Sequence, residues 1–285
     1  MEKERSEKGG IAVEKNSVNR LLHTVTPFVL MVLVRKLLLL LFTRIVPAQN
    51  GGEIGDLCAF AVSAAIAVFL FRARKFEEEP EDDPVPPLPK KKTSRTVLHL
   101  IVSASALVFT MFVVAAYLNG EAAFSDTVTA VGKIPSSTFL SVLSLLIVHP
   151  LTEEYLFRRC FYGELRRMNP VFGCMAQAVM FAIAHDSVDG MFYALAAGVI
   201  LGILAEETGR LWPCVAAHIF VNARSLVCVT VLADRGNVRY AMDSVLLTAG
   251  AIAFFILAVT RARFAAEPDE DEKTGGSRSR REAGV

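Results

Sequence analysis

Apolar residues in this chain come in long blocks rather than alternations. Eight blocks stand out: Leu21–Val46, Ile54–Phe71, Leu98–Leu118, Thr138–Arg158, Val171–His185, Met191–Ala205, Leu211–Leu232 and Asp243–Thr260. A helix crossing a bilayer needs about 20 mostly apolar residues. The fifth and sixth blocks hold only 15 residues each. Short spans are tolerated inside a bundle, where neighbours and water shield their ends. The first block is interrupted by Arg35 and Lys36. Side chains of that kind are expected to snorkel toward the interface, so this block spans or lies partly in the interface. The pattern predicts an all-α, polytopic membrane helix bundle of about eight transmembrane helices.

The polar stretches divide the chain. Residues 1–20 read as a disordered tail, and 21–71 as two amino-terminal membrane helices. Residues 72–97 read as a charged, proline-rich linker. Its acid run Glu77-Glu78-Glu79-Pro80-Glu81-Asp82-Asp83 passes through Pro84-Val85-Pro86-Pro87-Leu88-Pro89 to Lys90-Lys91-Lys92. Such a tether has no core of its own. Residues 98–261 read as one membrane bundle and 262–285 as a second disordered tail. Loop lysines and arginines concentrate on the side that holds both tails, the linker, the loop after block four and the Gly209-Arg210 turn. The other side holds little beyond Lys133, Arg235 and Arg239. The positive-inside rule then places both termini in the cytoplasm.

Composition supports the same class. Of the 285 residues 53% are hydrophobic, too many for an ordinary soluble domain. The net charge of +1 is confined to tails and loops. The basic clusters border apolar blocks, so topology explains them and no nucleic-acid partner is called for. The five cysteines, Cys58, Cys160, Cys174, Cys214 and Cys228, form no C-x-x-C pair and read as packing residues. The first twenty residues are polar and no small-x-small cleavage site follows the first apolar block, so no cleavable signal peptide is expected.

Several residues break the apolar pattern at membrane depth. Glu153, Glu154 and Arg158 close the fourth block. His185 closes the fifth, and His218 and Asn222 stand one turn apart on the seventh. A charged group at the bilayer centre costs about 2.5–3.5 kcal/mol even on the lenient insertion scale. Convergence in one polar pocket is less costly than separate burial. Glu154 and Arg158 share a helix face at i,i+4, in the favourable acid-before-base order. Glu153 points about 100° away. One glutamate is thus expected to be pinned by the arginine while the other is left for chemistry. A second acidic pair, Glu206-Glu207, has its arginine at the wrong spacing and reads as a solvated helix end.

Glu153-Glu154-x-x-x-Arg158, then Phe181-x-x-x-His185, then His218-x-x-x-Asn222 resembles the three motifs of the CPBP family. These are the CAAX proteases and the bacteriocin-processing or immunity proteins, also called the Abi family. Thr208-Gly209 leading through Trp212-Pro213 is similar to its bacterial branch. The resemblance covers about residues 139–229. Three features depart from the pattern: Arg159 where glycine is frequent, the extra charge Arg224, and His149-Pro150 just before the first motif. Pro150 is expected to kink or open the fourth helix.

The resemblance implies an intramembrane endopeptidase that cleaves a prenylated CAAX terminus or a leader or bacteriocin-like peptide at a bacterial plasma membrane. Its partners would be the bilayer and a peptide or protein substrate. In the metal-free account Glu153 takes the proton of a water that His185 orients. His218 and Asn222 donate to the oxyanion, and Arg158 holds Glu154. The alternative is a zinc site made by Glu153, His185 and His218, although no H-E-x-x-H is present. The metal-free version, with no cofactor, is preferred. A non-catalytic immunity or scaffold protein and a proton-coupled transporter are the competing functions. Against the transporter stands the lack of evident inverted repeats.

Overall fold

A computed structural model describes residues 2–45, 51–75, 93–119, 142–185, 187–230 and 236–266. The linker core 76–92, the loop holding Lys133 and Pro135, the start of the fourth block and the tail past 266 lie outside them. Among the described residues there are eight helical stretches and no strand. These are α1 (Glu2–Ile45), α2 (Gly51–Lys75), α3 (Thr93–Asn119), α4 (residues 144–165), α5 (Pro170–Ile183), α6 (Val188–Thr208), α7 (Trp212–Thr230) and α8 (Gly236–Ala266).

Two ends differ from expectation. α1 starts at Glu2 rather than after Arg20, so the supposed disordered tail is helical. Residues 2–20 contain no proline and are rich in Glu, Lys and Arg, all good helix formers. α8 runs past Arg261 to Ala266.

Val18–Phe42, Gly55–Ala73, Gly190–Thr208 and Gly236–Leu257 are long and apolar enough to cross a membrane. Arg95–Met111 and Pro170–Ile183 are shorter apolar helices. Leu37, Leu40, Phe69, Val245, Phe254 and Phe255 are exposed. Hydrocarbon, not water, is the solvent that such an outward face suits. The chain is an integral membrane protein.

The interior is organised by aromatic and small residues. Phe157 and Phe161 of α4 meet Phe28 of α1 edge-on, with centroids 6.3 and 6.1 Å away. Phe71 of α2 joins at 6.2 Å from Phe161, and Phe181 of α5 at 5.0 Å from Phe157. The amino-terminal helix pair is therefore packed on the motif-bearing helix. α5 and α6 approach closely because Gly198 and Gly202 leave room. A Cβ at Gly198 would meet the Ala178 Cα at 2.7 Å, and one at Gly202 the Cys174 Sγ at 2.7 Å. Small residues let membrane helices approach in this way. Gln177, fully buried, uses the closeness to donate to the Gly198 carbonyl at 2.7 Å.

Local signals set the helix ends. Asn169 caps α5 by accepting from the N–H groups of Val171 and Phe172, with Pro170 behind it. α6 ends at Gly209, whose φ of 63° suits a residue without Cβ. The helix thus reaches Thr208 rather than Ala205. Charges inside the bundle are paired. Arg35 does not snorkel: it donates to Asp56 of α2 and to the Ala184 carbonyl, both at 3.1 Å. Glu206 is not simply solvated: it takes two bonds from Arg166 at 3.0 Å and one from the Tyr162 hydroxyl at 2.6 Å. His99 stands 3.6 Å from Glu207. Arg224 grips Asp243 of α8 with two donors, at 2.7 and 2.5 Å. Four cysteines are buried, Cys58 is exposed, and all five are free thiols.

Candidate active site

Pro150 shapes the helix that carries the first motif. α4 begins with a π turn, Ser144–Val148, continues as α-helix over His149–Glu154, and widens again over Tyr155–Tyr162. The His149 N–H donates to the Ser144 carbonyl, five residues back. The Leu145 carbonyl is thereby passed over. Its partner at the π spacing would be residue 150, and proline has no N–H. Asn222 of α7 fills the vacancy, donating from Nδ2 to the Leu145 oxygen at 3.0 Å. π turns of this kind frequently sit at functional sites.

The two glutamates then separate as the helical period requires. Glu154 is fully buried. Its Oε2 lies 3.0 Å from Arg158 Nε, and the two side chains are 0% and 1% exposed. That contact is an ion pair by distance but is not aligned as a hydrogen bond. The Arg158 guanidinium also lies over the Phe181 ring, 4.6 Å from its centroid. Glu154 Oε1 meets His218 Nδ1 at 2.8 Å. A carboxylate accepts only, so Nδ1 carries the proton and Nε2 is the edge turned elsewhere. That edge faces Glu153, with Nε2 3.9 Å from Oε2, too far for a direct hydrogen bond.

Glu153 lines a cavity of about 170 Å³ together with His149 and His185. His185 donates from Nδ1 to the Phe181 carbonyl at 2.8 Å, which leaves its Nε2 for the cavity side of the ring. His149 Nδ1 lies 3.3 Å from the other Glu153 oxygen, Oε1. The ring of His149 stacks on Phe60 of α2, with centroids 3.9 Å apart and planes 11° from parallel.

Of the residues singled out in the sequence, Glu153 and His185 share this cavity, and His218 bridges Glu153 to the Glu154–Arg158 pair. Asn222 departs from its expected place: its Nδ2 is engaged by Leu145 rather than turned to the cavity as an oxyanion donor. In the sequence His149 stood out only as a departure beside Pro150, with no role at the site, and Phe60 went unrecognised. His149 precedes Glu153 by four residues, the same one-face spacing that pairs Glu154 with Arg158, and that was the signal available. Phe60 had no local signal at all.

A zinc set of Glu153, His185 and His218 can be examined by its donors. Among the described residues, no three of His, Cys, Asp and Glu gather as metal ligands. One nitrogen of each histidine is already committed, to Phe181 and to Glu154. The other nitrogen of each, Nε2, is left over, an arrangement that metal-ligating histidines also show, so the donors alone do not choose between the zinc account and the metal-free one.

Comparison with known proteins covers the same region. Residues 135–224 match the family described as Type II CAAX prenyl endopeptidase Rce1-like. The Bacillus subtilis (strain 168) protein named "Putative membrane peptidase YdiL" is 27% identical over 107 residues, 37% of this chain. The match spans 44% of that protein's length. No solved structure matches the chain. Every residue of the three motifs falls inside the matched segment, and over that segment the chain is similar to the Rce1-like CAAX prenyl endopeptidase family.

Proposed function

We propose that this protein is an intramembrane endopeptidase acting on a membrane-associated peptide, either a prenylated CAAX terminus or a leader or bacteriocin-like segment. One observation carries the reading: adjacent glutamates have opposite surroundings. Glu154 is locked between Arg158 and His218, whereas Glu153 opens on a cavity that also holds His185. Paired acids with divergent environments divide structural and chemical labour.

In this mechanism the Glu153 carboxylate takes a proton from water held in the cavity, with His185 Nε2 as its second acceptor. The nascent hydroxide forms a bond to the scissile carbonyl carbon. His218 in its protonated form, anchored through Nδ1, presents Nε2–H to the developing oxyanion. The C–N bond then breaks as the proton on Glu153 passes to the leaving amine. Arg158 keeps Glu154 in place. No step calls for a metal or another cofactor.

The test uses the purified full chain in detergent micelles or liposomes. Substrates are a farnesylated CAAX peptide, its unprenylated twin and a leader-type peptide. Cleavage by wild type at one bond, absent in Glu153→Ala, supports the reading. Glu153→Ala protein that cleaves as fast as wild type contradicts it. A folded wild type that cleaves none of the three, yet moves protons across liposomes, favours the transporter.

A further inference from the structure

The matched segment begins at residue 135, but one wall of the cavity is built by α1 and α2, far ahead of it. Met31, Val32, Arg35 and Lys36 come from α1, and Phe60 and Ser63 from α2. Phe60 does more than fill space, because its ring lies flat on His149 at 3.9 Å. His149 in turn reaches Glu153 Oε1 at 3.3 Å. Oε1 can only accept, so His149 Nδ1 is the donor. The other oxygen, Oε2, is the one turned toward His218.

We propose that His149, clamped by Phe60, is a positioning residue that sets the plane of the Glu153 carboxylate. The amino-terminal helix pair is then part of the working site and not merely an anchor. The proposal rests on the reading of Glu153 as the base. A glutamate ends in a soft, broad torsion, and without a fixed partner its carboxylate plane wanders. A donor held on Oε1 leaves Oε2 facing water and substrate. The clamp is itself anchored. Arg35 bridges Asp56 on α2 to the Ala184 carbonyl beside His185, with its guanidinium carbon 6.0 Å from the centre of the Phe60 ring.

Three variants of the full chain test this. His149→Phe keeps a ring to stack on Phe60 and deletes the donor. His149→Asn keeps an N–H near the Nδ1 position and deletes the ring. Phe60→Leu keeps the donor and removes the flat partner. Since misplacement by about 1 Å costs about 10²-fold, His149→Phe should lower kcat by about 10- to 100-fold with KM changed by less than about 3-fold. His149→Asn should recover part of that loss, and Phe60→Leu, which keeps the ring and its donor but loosens the clamp, should lose less than His149→Phe. Independently of turnover, the Glu153 carboxylate stretching band, assigned by infrared difference against Glu153→Gln, should shift in His149→Phe and stay near its native position in His149→Asn. A Glu153-dependent wild type whose kcat is unchanged in His149→Phe overturns the proposal and spares the protease reading. An unshifted band in His149→Phe overturns it whatever the turnover. Equal losses in the Phe and Asn variants also overturn it, since that is the signature of general packing damage. Cleavage that does not depend on Glu153 removes the protease mechanism, and this proposal with it.

Discussion

Asn222 and Pro150 are predicted to be coupled across two helices. Pro150 withholds the N–H that the Leu145 carbonyl would take at the π spacing, and Asn222 supplies a replacement at 3.0 Å. Asn222→Ala removes that bond and strands a carbonyl in a bilayer interior without water. The loss is worth about 1–3 kcal/mol, the usual penalty for orphaning one buried polar group. Pro150→Ala restores an N–H five residues after Leu145, so the same Asn222→Ala change should then cost less than about 0.5 kcal/mol, within the scatter of additivity. The assay is a double-mutant cycle on reversible unfolding in mixed micelles, with helicity read by circular dichroism. Asn222→Ala costing the same in both backgrounds would refute the reasoning. Activity adds a second reading. If Asn222 holds the helix rather than the oxyanion, the double variant should regain turnover that Asn222→Ala loses.

Other expectations follow from the buried charges and the topology. Arg158→Ala removes the cation 3.0 Å from the buried Glu154, leaving it the bond to His218, and should destabilise by up to about 3–5 kcal/mol. Adding Glu154→Gln to it should return part of that loss in the same unfolding assay. Arg224→Ala should be similarly costly, by about 3–5 kcal/mol, because Asp243 is only 3% exposed. Asp243→Asn added to it should soften the effect if the pair holds α7 to α8 and serves no chemistry. Reporters placed between Pro84 and Pro89 and after Ala265 should both read cytoplasm, and opposite readings would make the span count odd. Chelator should leave peptidase activity unchanged, and activity lost to chelator and restored by zinc would favour the metal mechanism instead.

Block structure made the helices legible, because apolar runs of bilayer length have few alternatives. The i,i+4 rule made the Glu154–Arg158 pair legible, and it also fixed the divergence of Glu153. What escaped was set by neighbours distant in sequence. The roles of Arg35 and Glu206 depended on partners, Asp56 and Ala184 in one case and Tyr162 and Arg166 in the other. A charge in an apolar run reads as snorkelling until a counter-charge on another helix is located. Arg224 stood out as an unexplained charge for the same reason, with its partner 19 residues away. Asn222 was assigned by its motif, but the backbone vacancy it fills exists only because a π turn and a proline coincide. The Phe60–His149 stack joins residues nearly ninety positions apart, and no local pattern announces it.

The division of labour between the two glutamates is tested most directly by two isosteric variants measured side by side, Glu153→Gln and Glu154→Gln, for turnover and for unfolding. Glu153 faces the cavity and Glu154 neutralises Arg158. Glu153→Gln should therefore lose turnover by more than about 10³-fold, beyond what one oxyanion donor supplies, while unfolding at the wild-type midpoint. Glu154→Gln should shift the midpoint down by the cost of a stranded guanidinium, about 3–5 kcal/mol. Wild-type turnover in Glu153→Gln, or destabilisation that follows Glu153 instead of Glu154, would contradict the account.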